Sequence, residues 1–98
     1  MDYRQGDVYL KKIAAVSGKK ISEGRMVLAE GEVTGHNHVM RGQGVKFYES
    51  NGQVMVQVEK EAELVHQEHE KITVPAGAYA VVRQREYDLV NGVRQVMD

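Results

Sequence analysis

Hydrophobic positions along this chain fall in short alternating runs rather than at the three-to-four spacing of a helix. Val8-Tyr9-Leu10, Arg25-Met26-Val27-Leu28-Ala29, Val45-Lys46-Phe47-Tyr48-Glu49 and Val54-Met55-Val56-Gln57-Val58 are rich in β-branched and aromatic residues and are separated by Gly-, Ser- or Asn-containing segments. Ser50-Asn51-Gly52 between the last two runs predicts a hairpin, because Asn-Gly adopts the positive φ angles that a tight turn between twisted strands requires. A Ser/Gly/Lys-rich loop is expected over residues 17–24. Ala62-Glu63-Leu64-Val65-His66 reads as a short strand or turn, although Glu59 to Leu64 would also suit one helical turn. Ile72-Thr73-Val74 is expected to stop at Pro75-Ala76-Gly77, with a long strand over 79–87 and a last one over 93–96 after the Asn91-Gly92 turn. The pattern is all-β: a small antiparallel barrel or sandwich of about seven to nine short strands, with room for one short helical turn.

Composition narrows what such a domain can be. The chain has 98 residues, 42% hydrophobic and 28% charged, without a long polar linker, which fits a single β domain over residues 1–98. No apolar run is long enough to cross a bilayer, and the amino terminus lacks the basic and apolar regions of a secretory signal, so a cytoplasmic location is expected. Thirteen Lys and Arg against fourteen Asp and Glu give a net charge of -1, so nucleic-acid binding would need a local patch. With no cysteine, disulfides and thiolate ligands are excluded, and histidine and carboxylate are left to bind metal.

All four histidines occur in two tight pairs. His36 and His38, in Gly35-His36-Asn37-His38, stand at i and i+2, which in a strand puts both on one face about 6.5 to 7 Å apart at the backbone. His66 and His69, in His66-Gln67-Glu68-His69, stand at i and i+3, a spacing that converges in a turn. The hairpin between the pairs returns the chain toward its own neighbourhood. Four imidazoles would close a tetrahedral zinc site, whereas three would leave a position for water. In the open case the ion would lower the pKa of its water to about 7, and Glu68 would be the catalytic carboxylate, with Glu70 and Glu32 as further candidates. Nickel, iron(II) and manganese suit the same ligands. The plain alternative is four surface histidines with no ligand in common.

A second constellation lies on the late strand, where Arg83, Arg85 and Tyr87 share one face. Their guanidinium forks and ring suit an anion or a stacked base, and equally suit ion pairing with the chain's glutamates at a solvated strand end. Gly42-Gln43-Gly44 lacks a phosphate-loop pattern, and no serine stands in a nucleophile motif.

The string from Glu32 to His38, followed by His66-Gln67-Glu68-His69, Pro75-Ala76-Gly77-Ala78-Tyr79 and Arg83-Gln84-Arg85-Glu86-Tyr87, resembles a group of short uncharacterised bacterial proteins over about two-thirds of the chain. The resemblance implies that the histidines and the arginine strand belong to one recurrent design, and it carries no activity or substrate. The Gly-rich His-x-His and the Pro-x-Gly turn also resemble the cupin pattern, which implies a barrel, but no histidine follows Pro75-Ala76-Gly77.

Two readings follow. In the first, His36, His38, His66 and His69 hold a divalent transition metal, zinc foremost, as a structural staple or in support of hydrolytic chemistry on a small-molecule substrate. In the second, the domain is a non-enzymatic binding or assembly module that recognises a protein or nucleic acid through its Arg/Tyr face, with incidental histidines. Free β edges make a homo-oligomer a reasonable expectation, which Lys11 and Lys12 oppose.

Overall fold

The computed structural model describes residues 2–30, 36–83, 86–88 and 92–94. Its strands are β1 (Tyr3–Gln5), β2 (Val8–Ile13), β3 (Lys19–Glu30), β4 (Asn37–Ser50), β5 (Gln53–Val65), β6 (Ile72–Arg83), β7 (Glu86–Asp88) and β8 (Gly92–Arg94). The first six form one antiparallel sheet in the order β1-β2-β6-β5-β4-β3, and β7 and β8 pair separately. The all-β class is as expected. The predicted hairpin is the β4–β5 connection, where Ser50 pairs with Gln53 and both Asn51 and Gly52 have positive φ.

Four expectations are corrected. The main sheet has six strands rather than seven to nine, because runs that look separate in sequence merge into strands of 12 to 14 residues. No helical turn occurs among the described residues, since Glu59 to Leu64 continues β5. Nor does the chain stop at Pro75, because β6 runs through it. There the register shifts between Val58 and Glu61 on β5, and this irregularity accommodates a residue that has no N–H to give to a ladder. Part of the expected loop over 17–24 is likewise strand, β3 starting at Lys19.

Long strands bury a core only if the sheet bends. Register shifts interrupt β3 against β4 at three places, and β4 against β5 between Arg41 and Lys46. On β4 the buried positions are His38 and Met40 before the shift, then Val45 and Phe47 after it, so the inward phase changes from even to odd numbers across Gly42-Gln43-Gly44. Gly42 is required there, because a Cβ would stand 2.8 Å from the Glu61 carbonyl oxygen and 3.1 Å from Ala62 Cα.

The bending brings opposite corners of the sheet together. Val8 pairs with Arg83 at one end of β6, whereas Leu64 pairs with Ile72 at the other, about 36 Å away along a flat strand. Yet Gln5, which pairs with Val8, donates from Nε2 to the Leu64 carbonyl at 3.0 Å. The sheet is therefore rolled on itself diagonally. It is not closed as a barrel, since β1 and β3 are its edges and no ladder joins them among the described residues. Inside the roll lie Val8, Leu10, Met40, Val45, Phe47, Val56, Leu64 and Val74, all at 0% exposure. Tyr79 joins them, with its hydroxyl donating to the Pro75 carbonyl at 2.9 Å.

Candidate metal centre

Where the two corners meet, polar residues replace the apolar core. The buried polar side chains among the described residues are Gln5, Asp7, His38 and His66, and all four lie at this junction. Burial of so many polar groups at one place costs free energy unless they satisfy one another or a ligand.

Each histidine is set by its strand. His38 occupies the inward phase of β4 with Met40, and His66 continues the inward phase of Ala62 and Leu64 just beyond β5. Because Val39 pairs with Val65, antiparallel register puts His38 beside His66, and their ring centroids are 4.2 Å apart. The turn after β5 then brings His69 back, at 4.5 Å from His66 and 5.7 Å from His38. One potential ligand atom from each of His38, His66 and His69 lies within 4.8 Å of the others, so these three could hold a metal ion. His36 stands at the rim, its ring 5.8 Å from that of His66 and its Nδ1 2.7 Å from Glu68 Oε1. The four histidines thus adjoin one another, with three at the centre.

Two residues that the sequence did not single out complete the junction. Gln5 donates from Nε2 to the carbonyls of Leu64 and Glu70, at 3.0 and 2.8 Å, and so presents Oε1 to His38 Nδ1 at 2.9 Å. That oxygen can only accept, so Nδ1 carries the proton and the lone pair of neutral His38 is on Nε2. Asp7 places Oδ1 3.3 Å from that same Nε2 and Oδ2 3.5 Å from Arg83 Nε. Between them Gly6, at φ 58°, carries the backbone past the rings: a Cβ there would stand 2.9 Å from His69 Nε2 and 3.1 Å from His38 Cε1. Gly6-Asp7 resembles any tight turn in sequence, and only its folding onto residues about 30 and 60 positions away reveals its place.

His66 is held differently. Its Nδ1 accepts the Glu68 backbone N–H at 3.0 Å, which puts the proton of the neutral ring on Nε2. Glu68 itself is about half exposed. Of the arginine strand, Arg83 is half-buried beside Asp7 and so reaches the same junction. Arg85 and Glu32 lie outside the described residues, and for Tyr87 the description extends only to the backbone of β7.

Comparisons with known proteins bear on the chain as a whole. Residues 4–84 match the model of a family described as a domain of unknown function (DUF8820), a span that includes Gln5, Asp7, all four histidines and Arg83. No curated protein and no solved structure matches the chain. No helix among the described residues is long and apolar enough to cross a membrane.

Proposed function

For a chain that belongs to the DUF8820 family, we propose that the domain binds a divalent transition metal, zinc foremost, through His38, His66 and His69, with Asp7 as the fourth ligand. The observation that carries this reading is the convergence of three imidazoles at the junction, with the buried Asp7 carboxylate beside one of them, His38. In a tetrahedral site with bonds of about 2.0 Å, two ligand atoms stand about 3.3 Å apart. The Asp7 Oδ1 to His38 Nε2 distance is 3.3 Å. The histidine nitrogens, within 4.8 Å of one another, need to draw in by on the order of 1 Å. Ligation of His66 through Nε2 would also exchange its tautomer and release the Glu68 N–H from Nδ1.

Four protein ligands favour a structural role, since the ion would join the β1–β2 turn to β4 and to the β5–β6 connection where the rolled sheet is open. The rim pair His36–Glu68 favours a second reading, in which water replaces Asp7 and Glu68 serves as general base.

Elemental analysis of purified, untagged protein, with His38→Ala, His66→Ala and Asp7→Asn beside it, tests the site. One metal per chain in the wild type, lost in both histidine variants, is the expected result. Its absence after reconstitution with zinc, nickel, manganese and iron(II) sinks the proposal. If Asp7 is the fourth ligand, Asp7→Asn binds the ion more weakly. If the site is hydrolytic, Glu68→Gln keeps the metal and loses turnover.

A further inference from the structure

On the outer face of the sheet, behind the histidines, is a cavity of about 180 Å³ whose wall includes Arg25, Arg41, Val39, Val65 and His66. Arg25 on β3 and Arg41 on β4 are direct cross-strand neighbours, so their side chains leave the same face. Two like charges opposite each other oppose strand pairing. Nothing about the core demands them, because both side chains are exposed.

The nearby carboxylate does not neutralise the pair. Glu63 Oε1 meets Arg41 Nε at 3.2 Å, but Glu63 Oε2 meets Lys71 Nζ at 2.9 Å, and neither contact involves Arg25. The hydrogen bonds from Lys71 and Arg41 hold the Glu63 carboxyl below its usual pKa, so it is ionised at neutral pH and already shared by two cations. Of the two arginines that line the cavity, Arg41 shares its carboxylate with Lys71, and the Glu63 contacts leave Arg25 out. At its other side the Asn37 N–H donates to Gln67 Oε1 at 3.0 Å, fixing the first residue of β4 to the turn that carries His66 and His69.

The geometry points to a binding site for a phosphate dianion, free or as the terminal group of a small molecule, clasped by Arg25 and Arg41. Guanidinium forks match tetrahedral oxyanions, and a phosphate monoester carries a charge of about −1.5 to −2 at neutral pH, enough to engage both arginines where a single carboxylate carries one charge. The site goes beyond metal binding and meets the metal centre only at His66, so a phosphate group here would lie against the outer side of that centre.

Inorganic phosphate is titrated into chelator-treated and zinc-loaded protein by calorimetry at constant ionic strength, with acetate in parallel. Saturable one-site binding of phosphate is expected in both preparations, weakened at least tenfold in Arg25→Gln and in Arg41→Gln and unchanged in the control Lys46→Gln. Arg25→Gln decides the matter if Arg41→Gln unfolds through its lost contact with Glu63. No saturation in either preparation, equal affinity in Arg25→Gln, or acetate binding as tight as phosphate would each overturn the inference. A chain that takes up no zinc yet binds phosphate in an Arg25-dependent way refutes the metal reading alone. A chain that takes up zinc and ignores phosphate refutes this one alone. Competition by single-stranded oligonucleotides with the same Arg25 dependence would replace a small phosphate ligand with a nucleic acid and would also overturn it.

Discussion

Gln5 controls the junction through three hydrogen bonds. It satisfies two backbone carbonyls from the far end of the sheet and selects the tautomer of His38. Gln5→Leu keeps the volume but removes the bonds that Gln5 makes to those carbonyls and to His38 Nδ1, at about 1 to 3 kcal/mol for a buried polar group that loses its partner. Lower stability in urea denaturation is the expected outcome. Loss of the group that orients a ligand should also weaken zinc affinity by about 10- to 100-fold, read by competition with a chromogenic chelator. Gln5→Glu separates the two effects, since a carboxylate still accepts from His38 but cannot donate to the carbonyls. It should keep metal affinity while stability falls.

The strands position the site through irregularities rather than through their ideal repeat. On β4 the inward phase that carries His38 and Met40 must change before Val45 and Phe47 can also face inward, and Gly42-Gln43-Gly44 makes that change. Gly42→Ala places a methyl against the backbone of β5 at Glu61 and Ala62, which must move apart. Overpacking of this kind costs about 1 to 3 kcal/mol, and a lower melting temperature in circular dichroism checks it. Metal affinity should fall with it, because His38 and His66 face each other across the same pair of strands. This is also why the histidine pairs were legible in sequence only as pairs. The i, i+2 and i, i+3 spacings make local convergence plausible, but the meeting of His38 with His66 is set by the Val39–Val65 register. Runs such as Val54–Val58 and Ala62–Val65 read as separate because the irregularity between Val58 and Glu61 breaks the alternation that would have joined them.

For the whole molecule, the rolled sheet would link metal loading, as proposed above, to folding. A site assembled from the β1–β2 turn, β4 and the β5–β6 connection does not exist in the unfolded chain, so the free energy of binding an ion there would add to folding stability. At free zinc about 100 times the dissociation constant the gain is about 2.7 kcal/mol. For a domain near this size each kcal/mol raises the melting temperature by about 4 to 8 °C. Chelator should therefore lower the melting temperature of the wild type by more than 10 °C, and that of His66→Ala very little; equal, small shifts in both would exclude the staple. What the amino-acid sequence determined by itself is what depends on neighbours in the chain: the β class from alternation, the Asn51-Gly52 hairpin from φ preference, and the two histidine pairs from spacing. The tertiary structure alone decided which residues meet at the junction. Gln5, Gly6 and Asp7 are separated from His38, His66 and His69 by long stretches of chain, and Arg25 meets Arg41 only across a strand pair. Such contacts depend on register shifts and on the diagonal roll of the sheet, which arise from the packing of all six strands together and are not specified by any local run of residues.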